Sequence, residues 1–217
     1  MGSRIMNPAF LRSSRSSYKQ LFVLPFVVVT VALALFVNPT RVCAGDGPAA
    51  FETITLGAEF IAGSASESFG DVWDPSNGGL FRIDTPFYLG TAEVGVLVFN
   101  NNNLSSSVPP FGSVNFFLGW GFEWALPLRL AWFTGVRAGG FYMDFDDDDV
   151  ADEVKTESEL AFGLSTALRY PLGERWSVLA SAQYLKVYTY RRIEYGFVGF
   201  GVSRTFTTPG GLRRFLE

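Results

Sequence analysis

Residues Ser113 to Ala125 read SVNFFLGWGFEWA. Val114, Phe116, Leu118, Trp120, Phe122 and Trp124 take every second position, and Ser113, Asn115, Phe117, Gly119, Gly121 and Glu123 fill the places between. Successive side chains of a strand point to opposite faces, so this period of two predicts a strand with one apolar face and one small, polar face. A helix would scatter the same apolar residues around its circumference. The fold then turns on what covers the apolar face: a second protein layer in a soluble domain, or lipid around a membrane barrel.

The same alternation recurs along the chain. Ile54, Leu56, Ala58, Phe60 and Ala62 share one face of a first strand, Thr53 to Ala62. Gly63 to Gly79 is rich in Ser, Gly, Asp and Asn and carries Asp74-Pro75, which predicts a long loop. Leu80 to Asp84 forms a short strand with a start as early as Phe69 in view, Thr85-Pro86 a tight turn, and Phe87 to Phe99 a third strand. After the polar loop Asn100 to Gly112 and the central stretch, Ala125-Leu126-Pro127 predicts a turn and Leu128 to Tyr142 a fifth strand. An acidic loop spans Asp144 to Thr156, and three more strands run Glu159 to Tyr170, Trp176 to Tyr184 and Val198 to Phe206. Long or charged connections thus alternate with short ones. An even set of about eight antiparallel strands with that asymmetry is the layout of an up-and-down transmembrane β-barrel.

Alternation alone does not say whether the apolar face points in or out, because soluble barrels put theirs inward. Three features point to lipid. The second face is Gly, Ala, Ser and Thr with sparse charges, unlike the Lys- and Glu-rich surface of a water-exposed strand. Its charges have both signs: Glu59, Arg82, Glu93, Glu123, Arg129, Arg137, Glu159 and Arg169. A narrow lumen requires such groups to pair, since one ion left alone in low dielectric costs several kcal/mol. Glu123 with Arg129, and Arg137 with Glu159, are the pairs expected across neighbouring strands, with Phe117, Phe133 and Phe141 filling the interior. Finally, Tyr88, Trp124, Tyr170 and Trp176 lie on the apolar face beside the short turns, and Tyr142 and Tyr184 lie towards the long loops, as two aromatic girdles would.

The amino-terminal segment is a separate object. Residues 1–20 carry Arg4, Arg12, Arg15 and Lys19, residues 21–37 are an apolar run, and Val42-Cys43-Ala44 puts small residues before Gly45. This is the pattern of a secretory signal, residues 1–44, cut after Ala44. Cleavage would remove five of the 17 basic residues and none of the 21 acids, leaving a net charge of −9 and no cysteine. Such an acidic balance excludes a nucleic-acid footprint. The barrel is expected over residues 45–206, followed by a periplasmic tail at 207–217 whose Leu212-Arg213-Arg214-Phe215 reads as a frayed end, with contact to anionic phospholipid or a periplasmic partner as the other reading.

On this architecture, residues 51–206 resemble the small OmpA- and OmpX-type outer-membrane barrels. The closing strand YGFVGFGVSRTF is similar to the carboxyl-terminal signal read by the barrel-assembly machinery: Gly201 and the final aromatic Phe206 match it, while Arg204 stands where an apolar residue is usual. The resemblance implies an integral bacterial outer-membrane protein with both termini periplasmic, outer-membrane lipids around it, and the assembly machinery and periplasmic chaperones as partners in biogenesis. Enzymatic small barrels use a catalytic His. This chain has no His at all, so none of those sites carries over and no cofactor is expected.

The acidic loop leaves two readings open. Asp146, Asp147, Asp148 and Asp149, flanked by Asp144, Asp152 and Glu153, could bind a surface Ca²⁺ through carboxylate oxygens. Equally, they could be a solvated loop held off the membrane by charge; the spacing lacks the sharp-turn glycine of an EF-hand. For function, the expectation is a non-enzymatic envelope or surface-contact role through the long loops. The alternative is a narrow channel or carrier for small or apolar solutes.

Overall fold

A computed structural model describes residues 49–105, 108–146, 156–189 and 193–216. The segment read as a signal, residues 1–44, lies outside the described residues, as do Asp147, Asp148 and Asp149 of the acidic loop. Eight strands form one closed antiparallel barrel: β1 (Thr53–Ala65), β2 (Trp73–Phe87), β3 (Gly90–Asn103), β4 (Phe111–Ala125), β5 (Ala131–Phe145), β6 (Thr156–Pro171), β7 (Trp176–Val187) and β8 (Ile193–Thr207). Each strand pairs with its neighbour in sequence, and β1 pairs with β8 from Thr53↔Thr207 to Ala65↔Tyr195, which abolishes any free sheet edge. Two short helices complete it, α1 (Glu67–Gly70) and α2 (Gly210–Leu216).

The alternation read in Ser113 to Ala125 is the alternation seen. Ser113, Asn115, Phe117 and Gly121 are buried in the lumen, while Phe116, Leu118, Trp120 and Phe122 are exposed on the outer wall. The same division holds around the ring. Leu56, Phe60, Phe81, Ile83, Val94, Val136, Phe162, Leu164, Val198 and Phe200 all stand exposed on the outside.

The second strand is where the sequence reading falls short. Most of Gly63 to Gly79, expected as loop, is β1 or β2, and the turn expected at Thr85-Pro86 lies three residues on, at Tyr88-Leu89. The reason is where the prolines sit. The β1–β2 ladder runs only from Thr55↔Asp84 to Ile61↔Gly78, so Pro75 and Pro86 lie beyond its two ends, where no N–H is needed for β1. Both still pair with β3, as Pro75↔Asn101 and Pro86↔Thr91, with a bulge between Pro75 and Gly78. Tyr88 therefore sits at the tip of a two-residue turn, with φ 50°, and not on a strand face.

The loop-end half of the lumen is an apolar core. Ile61, Leu80, Leu97, Phe99, Phe117, Phe141, Leu185, Val187, Tyr195 and Phe197 fill it. The helical turn α1 drops Phe69 into the mouth, where its ring stacks on Trp73 at 4.8 Å and meets Tyr195 edge-on at 5.6 Å. The remaining polar groups satisfy one another: Tyr195 Oη donates to Asn101 Oδ1 at 3.2 Å, and Asn101 Nδ2 donates to Ser113 Oγ at 2.7 Å. At the opposite end the tail read as frayed forms α2 after Thr208, whose N–H donates to Glu52 O at 3.0 Å.

Candidate functional site

Below the apolar core, at mid-lumen and towards the short turns, the barrel holds a network of charges. Its geometry follows from which register rows carry glycine. Glu93 on β3 is level with Gly119 on β4, and Gly119 is level with Arg137 on β5. Because Gly119 has no side chain, Arg137 reaches across the intervening strand to Glu93. A Cβ at Gly119 would stand 3.0 Å from Glu93 Oε1 and 3.2 Å from Arg137 Cγ. Arg137 Nη2 donates to Glu93 Oε2 at 2.9 Å, Nε donates to Glu93 Oε1, and Nη1 donates to Gln183 Oε1. The guanidinium also lies over the Phe117 ring, 4.3 Å from its centroid. A two-pronged arginine–carboxylate pair of this kind is strong and geometrically exacting.

Arg82 on β2 sits among three carboxylates: Glu59 at 3.5 Å, Asp84 at 3.6 Å and Glu93 at 3.6 Å. Glu59 turns its other oxygen to the Ser181 hydroxyl, across the space that a side chain at Gly199 would fill. Nearer the turns, Arg169 on β6 joins Asp84 at 3.1 Å and Glu123 at 2.8 Å. Among the described residues, Glu59, Asp84, Glu93 and Glu123 thus face Arg82, Arg137 and Arg169 in one connected network.

The expected pairs differ from those found. Arg137 meets Glu93 and Gln183. Glu159 stands opposite Phe141, four residues along β6 from Arg137's partner Gly163, about 13 Å away at strand rise. Glu123 meets Arg169 because Arg129 is not in a strand. Pro127 opens a 3₁₀ turn, Leu128 and Arg129 take φ of 63° and 62°, and β5 begins only at Ala131, leaving Arg129 exposed at the barrel rim. The missed partners, Glu93, Arg82, Asp84 and Gln183, lie on the inward parity of their strands. For Glu93 the signal was Gly119 opposite it, and for Arg82 it was Gly57 and Gly95, legible once register is known. Asp84, level with Thr55 and Glu93, and Gln183, level with Ser165 and Phe197, had no such mark.

Of the aromatic residues read as a girdle, Trp124 is level with Trp132, their rings 4.9 Å apart, and Tyr170 and Trp176 are exposed on the outer wall near the short turns. Of the acidic loop, Asp146 alone of the four aspartates is described; it is exposed, and its N–H donates to Pro110 O at 3.0 Å.

The Arg169 bridge gives an asymmetric expectation. The Asp84 side chain is 7% exposed and that of Glu123 34% exposed. Glu123→Gln loses a partly solvated pair and is expected to cost at most about 1 kcal/mol. Arg169→Leu strips Asp84 of a buried partner and is expected to cost about 3 kcal/mol. Urea titration of the folded barrel in micelles measures both, and equal costs would contradict the geometry.

No protein-family model and no curated sequence matches the chain. Solved structures do. The crystal structure of Neisserial surface protein A aligns over 70% of this chain and 97% of its own at 16% identity, with a TM-score of 0.58. Ail, the attachment invasion locus protein of Yersinia pestis, aligns over 71% of this chain and 97% of its own at 12% identity and a TM-score of 0.46. A major outer membrane protein from Thermus thermophilus aligns over 71% of this chain and 99% of its own, at 13% identity and 0.48. The chain has the fold of the small outer-membrane barrels, eight antiparallel strands closed in sequence order.

Proposed function

We propose that the protein is an integral barrel of the bacterial outer membrane, with its short turns and termini on the periplasmic side. In this reading it serves the envelope or surface contact without catalysis. The observation that carries this is the inversion of the molecule. Leu118, Phe60 and Phe200 are 69%, 61% and 64% exposed on the outer wall, while Arg82, Glu93 and Arg137 are buried inside. An apolar belt of that extent, with its basic side chains kept towards the two ends, is the surface that lipid requires. The lumen supports a non-conducting role. Its loop half is filled by Phe99, Phe141, Tyr195 and Phe197, and the charges below are joined to one another. A chain without histidine also lacks the commonest general base for a catalytic serine.

Contact with the outside then falls to the connections at 66–72, 104–110, 146–155 and 188–192. The test has two parts. Outer-membrane fractionation with heat-modifiable gel migration is expected to find a folded, membrane-inserted barrel; recovery in the soluble fraction would overturn the location. Planar-bilayer recording of the purified protein is expected to give no reproducible conductance steps. Steps that require the protein would overturn the filled-lumen reading in favour of a narrow channel.

A further inference from the structure

The outer wall of the described strands carries two basic side chains, and they are treated differently. Lys186, on β7 towards the loops, is answered by Glu194 at 3.0 Å. Arg204, on β8 towards the turns, makes no ion pair and no hydrogen bond among the described residues, and its Nε is buried without a partner. Arg204 shares the outward parity of Val202 and Phe206, both exposed on the wall. It is level with Leu56 on β1 and with Trp176, the first residue of β7. Its guanidinium lies 5.2 Å from the Trp176 ring and 4.9 Å from the Phe206 ring. Two aromatic faces therefore hold the cation in place, but neither accepts the in-plane N–H groups that a guanidinium presents.

A charge on the lipid-facing wall is costly at mid-membrane and becomes tolerable near an interface, where the head reaches the headgroup layer. Arg204 is three residues from the end of β8 at Thr207, which places it at that depth. The chemistry available there that matches an unanswered planar fork is a phosphate, taken by paired N–H···O bonds. The charge of the barrel ends agrees. Arg129, Arg175, Arg213 and Arg214 lie at the turn end, against Glu52 and Glu174. Among the described residues, the loop end carries Asp71, Asp74, Asp144, Asp146, Glu157 and Glu194 against Lys186.

We infer that Arg204, clamped between Trp176 and Phe206, is a binding site for the headgroup phosphate of an anionic phospholipid in the leaflet around the short turns. The inference rests on the membrane reading above and adds to it a specific lipid site. It fixes one lipid against the β7–β8–β1 wall, at the seam where the barrel closes.

The test is native mass spectrometry of the full folded barrel released from micelles that hold phosphatidylglycerol and phosphatidylcholine in equal amounts. The wild type is expected to retain one phosphatidylglycerol with a preference of about fivefold, the effect of one arginine near an anionic surface. Arg204→Gln is expected to bring that preference close to one, and Arg204→Lys to keep part of it. An unchanged preference in Arg204→Gln, or none in the wild type, would overturn the site. Release of the lipid by millimolar inorganic phosphate would give the pocket to free phosphate, and a second copy of the chain retained in place of lipid would give it to self-association; either also overturns the inference. Gel migration of the same preparations after insertion into phosphatidylcholine vesicles separates the two levels. A barrel that inserts yet shows no preference sinks the Arg204 site alone, and a barrel that does not insert sinks the membrane reading.

Discussion

Arg137→Leu is expected to lower the stability of the folded barrel by about 3–5 kcal/mol, the cost of leaving a buried charge without its partner. The Arg137 and Glu93 side chains are 6% and 1% exposed. Without Arg137, Glu93 keeps only Arg82, at 3.6 Å and without a hydrogen bond, and Gln183 loses its donor. Arg137→Lys is expected to recover part of the loss, because one ammonium cannot reproduce the two parallel bonds to Glu93 together with the bond to Gln183. The double change Glu93→Leu with Arg137→Leu should recover most of it, since a buried pair exchanged for apolar groups is often close to neutral. Arg82 would still hold Glu59 and Asp84. Urea unfolding in micelles, followed by gel migration, measures all three. A double variant no more stable than Arg137→Leu alone would mean that the network is held by something other than this pair.

Phe141→Ala is the second large effect, also expected at about 3–5 kcal/mol. Phe141 is fully buried at the centre of the apolar plug, with the Tyr195 ring 5.9 Å and the Phe99 ring 6.1 Å from its own. Strands around it are tied into a closed ring and cannot collapse onto the hole, so the cavity term adds to the lost transfer energy. Phe141→Leu keeps most of the volume and should cost about 1.5 kcal/mol or less. Phe116→Ala is the internal control, because Phe116 is on the adjacent strand but 56% exposed on the outer wall, so its loss leaves no hole. The same denaturation assay reads all of these. A Phe116→Ala cost as large as that of Phe141→Ala would reverse the assignment of inner and outer faces.

Much of the fold could be read directly. The parity of Ser113 to Ala125 divided its side chains between two faces before any strand was paired, because a pleated strand leaves no other choice. The small residues and mixed-sign charges of the second face then pointed to it as the lumen. What misled was proline. Pro75 and Pro86 are breakers by local chemistry, yet both stand in β2, because the β1 ladder stops short of them on either side. No local property of the sequence announces where a neighbour's ladder ends. Leu128 to Leu130 misled in the other direction. Their alternation continues that of β5, but two left-handed residues after Pro127 put Arg129 in the turn and out of the lumen.

Period and residue type were enough for a set of about eight strands, for the two faces of each and for the mixed-sign charges gathered on one of them. The tertiary structure alone decided who meets whom. Glu93 and Arg137 are 44 residues apart on strands that are not neighbours, and they touch because the register sets Gly119 between them. Register is a property of the closed ring and not of any one strand, as each row is fixed only when all eight ladders agree.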